Sequence, residues 1–305
     1  MNSDKQKLSP ATSPSEFLAR QKNFFSDEST KAWQEFKPKP TDIIITTFPK
    51  SGTTWVQQIM HCLRSNGDMA FDEISVVVPW LEVAFDMGLD LNSSQVHPRL
   101  FKSHLTAEEV PSGAKYIVIF RDPGEVLLSY YKFMEGWFFE PGSISLEEFA
   151  DVGFFNTSGF DNYWYHLKTW WARRDDPNVL LLTYEEIKFD IELTIKRLAK
   201  FAHIALTIDL IELTKFQSSI DFMRRHSIQF DEHATQEALD SRCGLPSGGN
   251  ASKLGLSNPS IKEIRLTPYV LQKLKESWDV EISSELKLND YDEFKFLVYN
   301  SKEAK

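Results

Sequence analysis

The segment Thr47-Phe-Pro-Lys-Ser-Gly-Thr-Thr-Trp55 gathers six small, basic or hydroxyl residues between a β-branched run and a helical pattern. A strand–loop–helix turn of this kind aims its backbone N–H groups, and those of the helix's first turn, at one point in space. That is the chemistry of an anion site. Gly52 permits close backbone approach, Lys50 adds a point charge, and Thr53 and Thr54 offer hydroxyls. The loop is not a Walker A loop, because its lysine precedes the glycine and the wide G-x-x-x-x-G-K interval is missing.

Elements must position this loop. Lys37-Pro-Lys-Pro40 is a stiff extended entry, since each proline fixes φ and biases its predecessor away from helix. Residues 42–48 read as a buried strand. Trp55, Val56, Ile59, Met60 and Leu63 recur at helical spacing, so a helix is expected over 53–63. Residues 99–103 form a short strand ending at His104, and 115–120 an apolar strand ending at Arg121, with a helix over 123–133. A further strand over 179–184 precedes a helix through about Phe201. Strands alternating with helices predict a single α/β domain, its parallel sheet flanked by helices on both faces. Sites in such sheets gather at the carboxyl ends of strands, where Lys50, His104, Arg121 and Tyr184 all fall.

Composition narrows the function. The 305 residues include 23 Phe, 9 Tyr and 8 Trp, enough apolar surface to exclude disorder as the main state. A net charge of −10 argues against general nucleic-acid or anionic-membrane binding. Two cysteines, Cys62 and Cys243, cannot build a disulfide framework or a cysteine-rich metal site. No stretch approaches the ~20 apolar residues that span a bilayer. The expectation is a soluble, cytoplasmic protein with a mobile polar leader over 1–15, aromatic-bearing residues 16–36 against the body, a lid-like loop over 236–259, and a helix over 267–279.

Phe-Pro-Lys-Ser-Gly-Thr-Thr-Trp resembles the 5′-phosphosulfate loop of the cytosolic sulfotransferases, which use 3′-phosphoadenosine 5′-phosphosulfate (PAPS) and release 3′-phosphoadenosine 5′-phosphate (PAP). The block Arg121-Asp-Pro-Gly-Glu-Val-Leu-Leu-Ser-Tyr-Tyr-Lys-Phe133 resembles the family's 3′-phosphate segment, and Phe101-Lys-Ser-His-Leu105 its catalytic Lys-x-His strand end. The resemblance runs from about Lys37 to Ile220 and implies a P-loop-like sulfotransferase fold. It implies Lys50 on the bridging oxygen of the leaving group, Ser51, Gly52, Thr53 and Thr54 around the 5′-phosphosulfate, and Arg121 and Ser129 on the 3′-phosphate. Ser129 is also implied to restrain idle cofactor hydrolysis through Lys50. His104 becomes the general base and Lys102 a support for the sulfuryl oxygens; taken alone, the histidine would read as structural. Trp55, Tyr184 and Phe216 match the adenine-contacting aromatics, with Thr214 two residues before Phe216, although each aromatic is also compatible with core packing.

The C-terminal part departs from the family. Arg242, Cys243 and Gly244 stand where Arg-Lys-Gly closes over the 3′-phosphate, no Gly-Asp-Trp follows, and Lys253 matches only after an insertion. The dimer signature is broken at Ser257-Asn258, which implies a monomer or weak homodimer. Trp80, Phe85, Trp137, Phe138 and Phe139 are candidates for the apolar wall of an acceptor pocket or for core. Glu82, Asp86, Glu135 and Glu140 lie among them and hint at a polar or cationic acceptor. The expected reaction moves a sulfuryl group from PAPS to a hydroxyl or amine of a small molecule, without a metal. The rival readings are an ATP-dependent small-molecule kinase and a non-catalytic nucleotide-binding module.

Overall fold

A computed structural model describes residues 8–157, 162–249 and 264–301. The chain opens with two short helices, α1 (Pro14–Gln21) and α2 (Asp27–Glu35), capped by Ser13 and Ser26. The leader is anchored by its eleventh residue: Ala11 is fully buried, donates to the Phe138 carbonyl at 2.8 Å and accepts from the Glu140 N–H at 2.9 Å. Residues 11–15 of the segment expected to be a leader are therefore held against the body, Ala11 by backbone pairing and Ser13 as the cap of α1.

Strands β1 (Ile43–Thr47), β2 (Leu100–Ser103), β3 (Lys115–Phe120) and β4 (Val179–Thr183) form one sheet in the order β2-β1-β3-β4, every neighbour parallel. Successive strand side chains point to opposite faces. Ile43, Ile45, Leu100, Ile117, Ile119 and Leu182 share one apolar face with α3 (Thr53–Ser65). Ile44, Phe101, Tyr116, Val118 and Leu181 share the other with α5 (Pro123–Trp137), reached after the one-turn α4 (Ile74–Val77). The strands thus read as continuous apolar runs because both faces are covered, the single α/β domain expected of the sequence. At the opposite edge from the loop, the Arg99 guanidinium forms a buried pair with Asp42 that ties the starts of β1 and β2.

Helix α5 starts on Asp122, whose side chain accepts the Glu125 N–H, with Pro123 in the first turn where its missing N–H costs nothing. It runs four residues beyond the expected end at 133. The short α6 (Leu146–Ala150) and α7 (Tyr163–Ala172) follow. Tyr184 begins a helix instead of ending a strand, because Thr183 and Glu186 make a reciprocal capping box. The helix expected through Phe201 is two, α8 (Tyr184–Phe189) and α9 (Ile191–Ala202), separated at Asp190, which caps the second. Then come α10 (Ile208–Gln217), α11 (Ile220–Arg225) and α12 (His233–Leu239), the last reaching into the span expected to be loop. Residues 250–259 of that span, including Lys253 and Ser257-Asn258, lie outside the described residues. Helices α13 (Pro268–Trp278), as expected, and α14 (Tyr291–Asn300) close the described chain. Among the described residues no helix is long and apolar enough to cross a membrane.

Phe138 and Phe139, candidates for the acceptor wall, sit in the core instead. Their rings lie 6.0 and 5.8 Å from that of Phe17, in edge contacts, and both are fully shielded. The helix turn that presents Trp137 to one side necessarily sends the next two residues elsewhere. Phe138→Ala is expected to lower unfolding free energy by about 3–5 kcal/mol, read from denaturant midpoints, with acceptor KM little changed.

Candidate active site

The loop between β1 and α3 has the geometry its composition implies. Lys50 and Gly52 both take positive φ, 69° and 105°. A Cβ at Gly52 would lie 2.9 Å from the Tyr184 ring, so the close approach as well as the backbone angle demands glycine. No side chain caps α3, and Ser51 Oγ is buried without a hydrogen-bond partner. The Thr47 and Thr53 hydroxyls meet at 2.6 Å beneath the turn. The helix therefore presents unsatisfied first-turn N–H groups and the positive end of its dipole to whatever occupies the loop.

A cavity of about 740 Å³ opens on this loop and runs along the carboxyl edge of the sheet. At one end the Arg121 guanidinium stands 4.1 Å over the Tyr184 ring and donates to the Lys50 carbonyl at 3.0 Å and to Glu125 at 2.9 Å. Tyr184 packs edge-on to Trp55 at 5.7 Å, and Trp55 Nε1 donates to the Ser218 carbonyl at 2.8 Å. Lys188 of α8 and Arg224 of α11 also line this end. Four cationic side chains, with Lys50, thus gather in a chain of net charge −10. Thr54 and Ser129 line the same cavity, and Lys50 Nζ lies 3.8 Å over the Phe133 ring.

The other end is aromatic. Phe24 lies 5.7 Å from both Trp80 and Trp137, and Trp80 packs edge-on to His104 at 5.1 Å. The segment carrying Trp80 pairs with β2: Lys102 N–H donates to the Pro79 carbonyl at 2.8 Å, and Leu81 N–H to the Lys102 carbonyl at 2.9 Å. His104 Nδ1 lies 2.8 Å from the Thr47 carbonyl. A carbonyl can only accept, so Nδ1 carries the proton and Nε2 the lone pair. Burial first, then the Lys102 charge, hold the imidazole pKa well below its ordinary value, so the ring is neutral at neutral pH. Its backbone N–H donates to Glu82 Oε1 at 2.6 Å, and burial pushes that carboxyl up to about 7. Lys102 Nζ makes a buried ion pair with Glu232 at 3.1 Å.

Several sequence-derived candidates stand elsewhere. Thr214 is buried under α3, bonded to the Leu210 carbonyl and Cys62. Phe216 is 56% exposed and packs on Phe222, and Phe85 is 54% exposed; neither lines the cavity. Arg242 makes a bidentate pair with Asp86 and donates to the Asn23 and Phe24 carbonyls. Gly244 accepts from Arg20 at 2.6 Å, while Cys243 is buried. This segment thus fastens the N-terminal helices beside the aromatic end, and none of its three residues lines the cavity. Sequence reasoning missed Phe24, Tyr130, Phe133, Met134 and Glu232 as cavity residues. Tyr130, Met134 and Trp137 recur at helical spacing on α5, a signal present in the sequence.

Among the described residues Glu73, Asp231 and His233 bring ligand-type atoms within 4.8 Å of one another. Burial works against the His233 charge, yet hydrogen bonds to Asp72 and Asp231 push its pKa up to about 9. Hydrogen bonds from His233 to Asp231 at 2.6 Å and to Asp72 at 3.0 Å hold the group together.

An uncapped helix behind a glycine-lysine turn, with cations around an aromatic slot, defines a nucleotide-phosphate-binding α/β protein. The Sulfotransferase domain family model matches residues 40–265. Human sulfotransferase 2A1 is 33% identical over 214 residues, 67% of this chain and 74% of that protein, and mouse sulfotransferase 1 family member D1 is 29% identical over 204 residues, 63% and 69%. Among solved structures, retinol dehydratase in a complex with retinol and PAP matches with a TM-score of 0.66 at 16% identity, covering 87% of this chain and 88% of that one. Mouse SULT7A1 complexed with PAP matches at 0.61 and 18%, covering 92% and 95%. The chain belongs to the sulfotransferase family, the PAPS-dependent enzymes. The match extends past Ile220, where the sequence resemblance weakens.

Gly52→Ala is expected to weaken PAP binding at least about tenfold in calorimetric titration, because strain and the Tyr184 ring both oppose a Cβ there.

Proposed function

We propose that this enzyme transfers the sulfuryl group of PAPS to a hydroxyl or amine of a flat, apolar small molecule, with His104 as the general base. The observation that carries the reading is the His104–Thr47 hydrogen bond, which leaves Nε2 as an acceptor in a ring that also lines the cavity.

The residues present suit the cofactor. The buried, unpartnered Ser51 hydroxyl, the glycine cradle and the uncapped α3 terminus fit a 5′-phosphosulfate, and Arg121 and Ser129 a 3′-phosphate. Trp55 and Tyr184 offer faces and edges to an adenine. PAPS, when bound, supplies an activated sulfuryl group on a phosphate leaving group. Lys50 neutralises charge developing on the leaving oxygen, as a mobile ammonium can. His104 Nε2 takes the acceptor proton while Nδ1–H stays on Thr47, so the imidazolium formed is stabilised in place. Phe24, Trp80, Phe133 and Trp137 make the aromatic wall that orients the acceptor and excludes water. Buried Glu82 and Glu232 at the same end disfavour carboxylate-bearing acceptors. Lysines and arginines supply the positive charge without a metal, and two free, buried cysteines suit a cytoplasmic setting.

A kinase reading predicts stabilisation by ADP with Mg²⁺, and a binding module predicts no turnover. The deciding assay incubates labelled PAPS with a panel of phenols, steroids, amines and alcohols. It includes retinol and androsterone, the compounds held by the retinol dehydratase of like fold. Sulfated product is expected from at least one, with PAP but not ADP raising the melting temperature. His104→Ala is expected to lower kcat by about 10²–10⁴-fold while leaving PAP affinity unchanged. Undiminished transfer by that variant removes His104 from the mechanism.

A further inference from the structure

The cavity wall contains an ion pair whose acidic member neither cofactor binding nor the proton transfer accounts for. Lys102 Nζ and Glu232 Oε1 lie 3.1 Å apart, their side chains 3% and 4% exposed. The ammonium also stands 3.8 Å over the Trp80 ring. The other Glu232 oxygen accepts from the Thr235 hydroxyl at 2.9 Å. The entry to α12 that carries Glu232 is itself fastened. His233 sits between Asp231 at 2.6 Å and Asp72 at 3.0 Å, and the Ala234 N–H donates to Glu73 at 2.7 Å.

Two buried charges persist only where geometry and further hydrogen bonds offset their lost hydration, and removing one leaves the other uncompensated. Here the uncompensated charge would lie beside the base, two residues away on the same strand end. Lys102 works against protonation of His104, and Glu232 works for it. The remaining titratable groups around the imidazole are Glu82 from the segment paired to β2, which accepts the backbone N–H, and His166 from α7, which burial lowers to about 3 and keeps neutral. Lys50 reaches the same cavity from the loop. Of these, the Lys102–Glu232 balance is the one set by a residue far away in sequence.

We infer that Glu232 is a positioning residue for sulfuryl transfer: it holds Lys102 against Trp80 and offsets its charge beside His104, so that the imidazole can take the acceptor's proton. This rests on His104 being the base, which the His104→Ala assay tests separately. Glu232 touches neither reacting atom in this account; it acts through Lys102.

The test is the pH dependence of acceptor kcat/KM at saturating PAPS for the wild type, Glu232→Gln and the double variant Lys102→Met/Glu232→Leu. In Glu232→Gln the acid limb moves to lower pH by about half a unit or more, and plateau kcat falls about tenfold as the base weakens, with PAP affinity unchanged. In the double variant both charges are gone. Lys102 acts on His104 more strongly than Glu232 does, so the limb moves above that of the wild type. A Glu232→Gln limb that coincides with the wild-type limb overturns the inference, as does a uniform loss of activity at every pH. Should Glu232→Gln fail to fold, the apolar pair still decides, because its limb at or below the wild-type position overturns the inference equally.

Discussion

The hydrogen bond between His104 and the Thr47 carbonyl joins the carboxyl ends of two neighbouring strands, and the arrangement of the site follows from it. Parallel register sets Thr46 of β1 opposite Ser103 of β2, so the chain leaves β1 after Thr47, which still pairs with Ile119 of β3, beside the point where it leaves β2 at His104. One exit becomes the phosphate loop and the other the imidazole. A single-residue slip would carry Leu100, Lys102 and His104 together to the opposite face of the sheet and separate the imidazole from the loop. The apolar faces on both sides of the sheet resist that slip, since it would expose Ile44 and Phe101 to the wrong neighbours.

Charge is distributed unevenly along the cavity. The loop end carries Lys50, Arg121, Lys188 and Arg224, along with an uncapped helix terminus, in a protein that is otherwise acidic. The aromatic end includes the closed pair of Lys102 with Glu232, Glu82, whose carboxyl burial pushes up to about 7, and Lys22 beside Phe24 in the cavity lining. In the proposed reaction the cationic end would draw the polyanionic cofactor and the aromatic end would take the acceptor. His104 lies where these two environments meet, its own charge suppressed until a proton arrives.

The sheet and the loop were legible in the sequence because their signals are local. Four β-branched or aliphatic runs, a glycine beside a lysine, and polar residues one step past each run are all readable within ten residues. The same holds for His104, Arg121, Trp55 and Tyr184, which the fold brings to one edge. Glu232 was not legible, since its partner lies 130 positions away and no short pattern links them. Phe138 and Phe139 illustrate a second limit. Composition identifies aromatic rings but not which of them faces a cavity, and only the turn of α5 separates Trp137 from the two residues after it. Arg242 illustrates a third: the matched position is present, yet the neighbouring carboxylate of Asp86 and two backbone carbonyls hold its guanidinium at the N-terminal helices.

The central claim is that the imidazole of His104 is neutral, protonated on Nδ1, and presents Nε2 to the acceptor. Nitrogen-15 NMR of histidine-labelled enzyme in its PAP complex, assigned by comparison with His104→Asn, observes this state directly. The account predicts a neutral ring at neutral pH with the proton on Nδ1 coupled to a carbonyl. A ring protonated on Nε2, or an imidazolium before any acceptor is added, contradicts it.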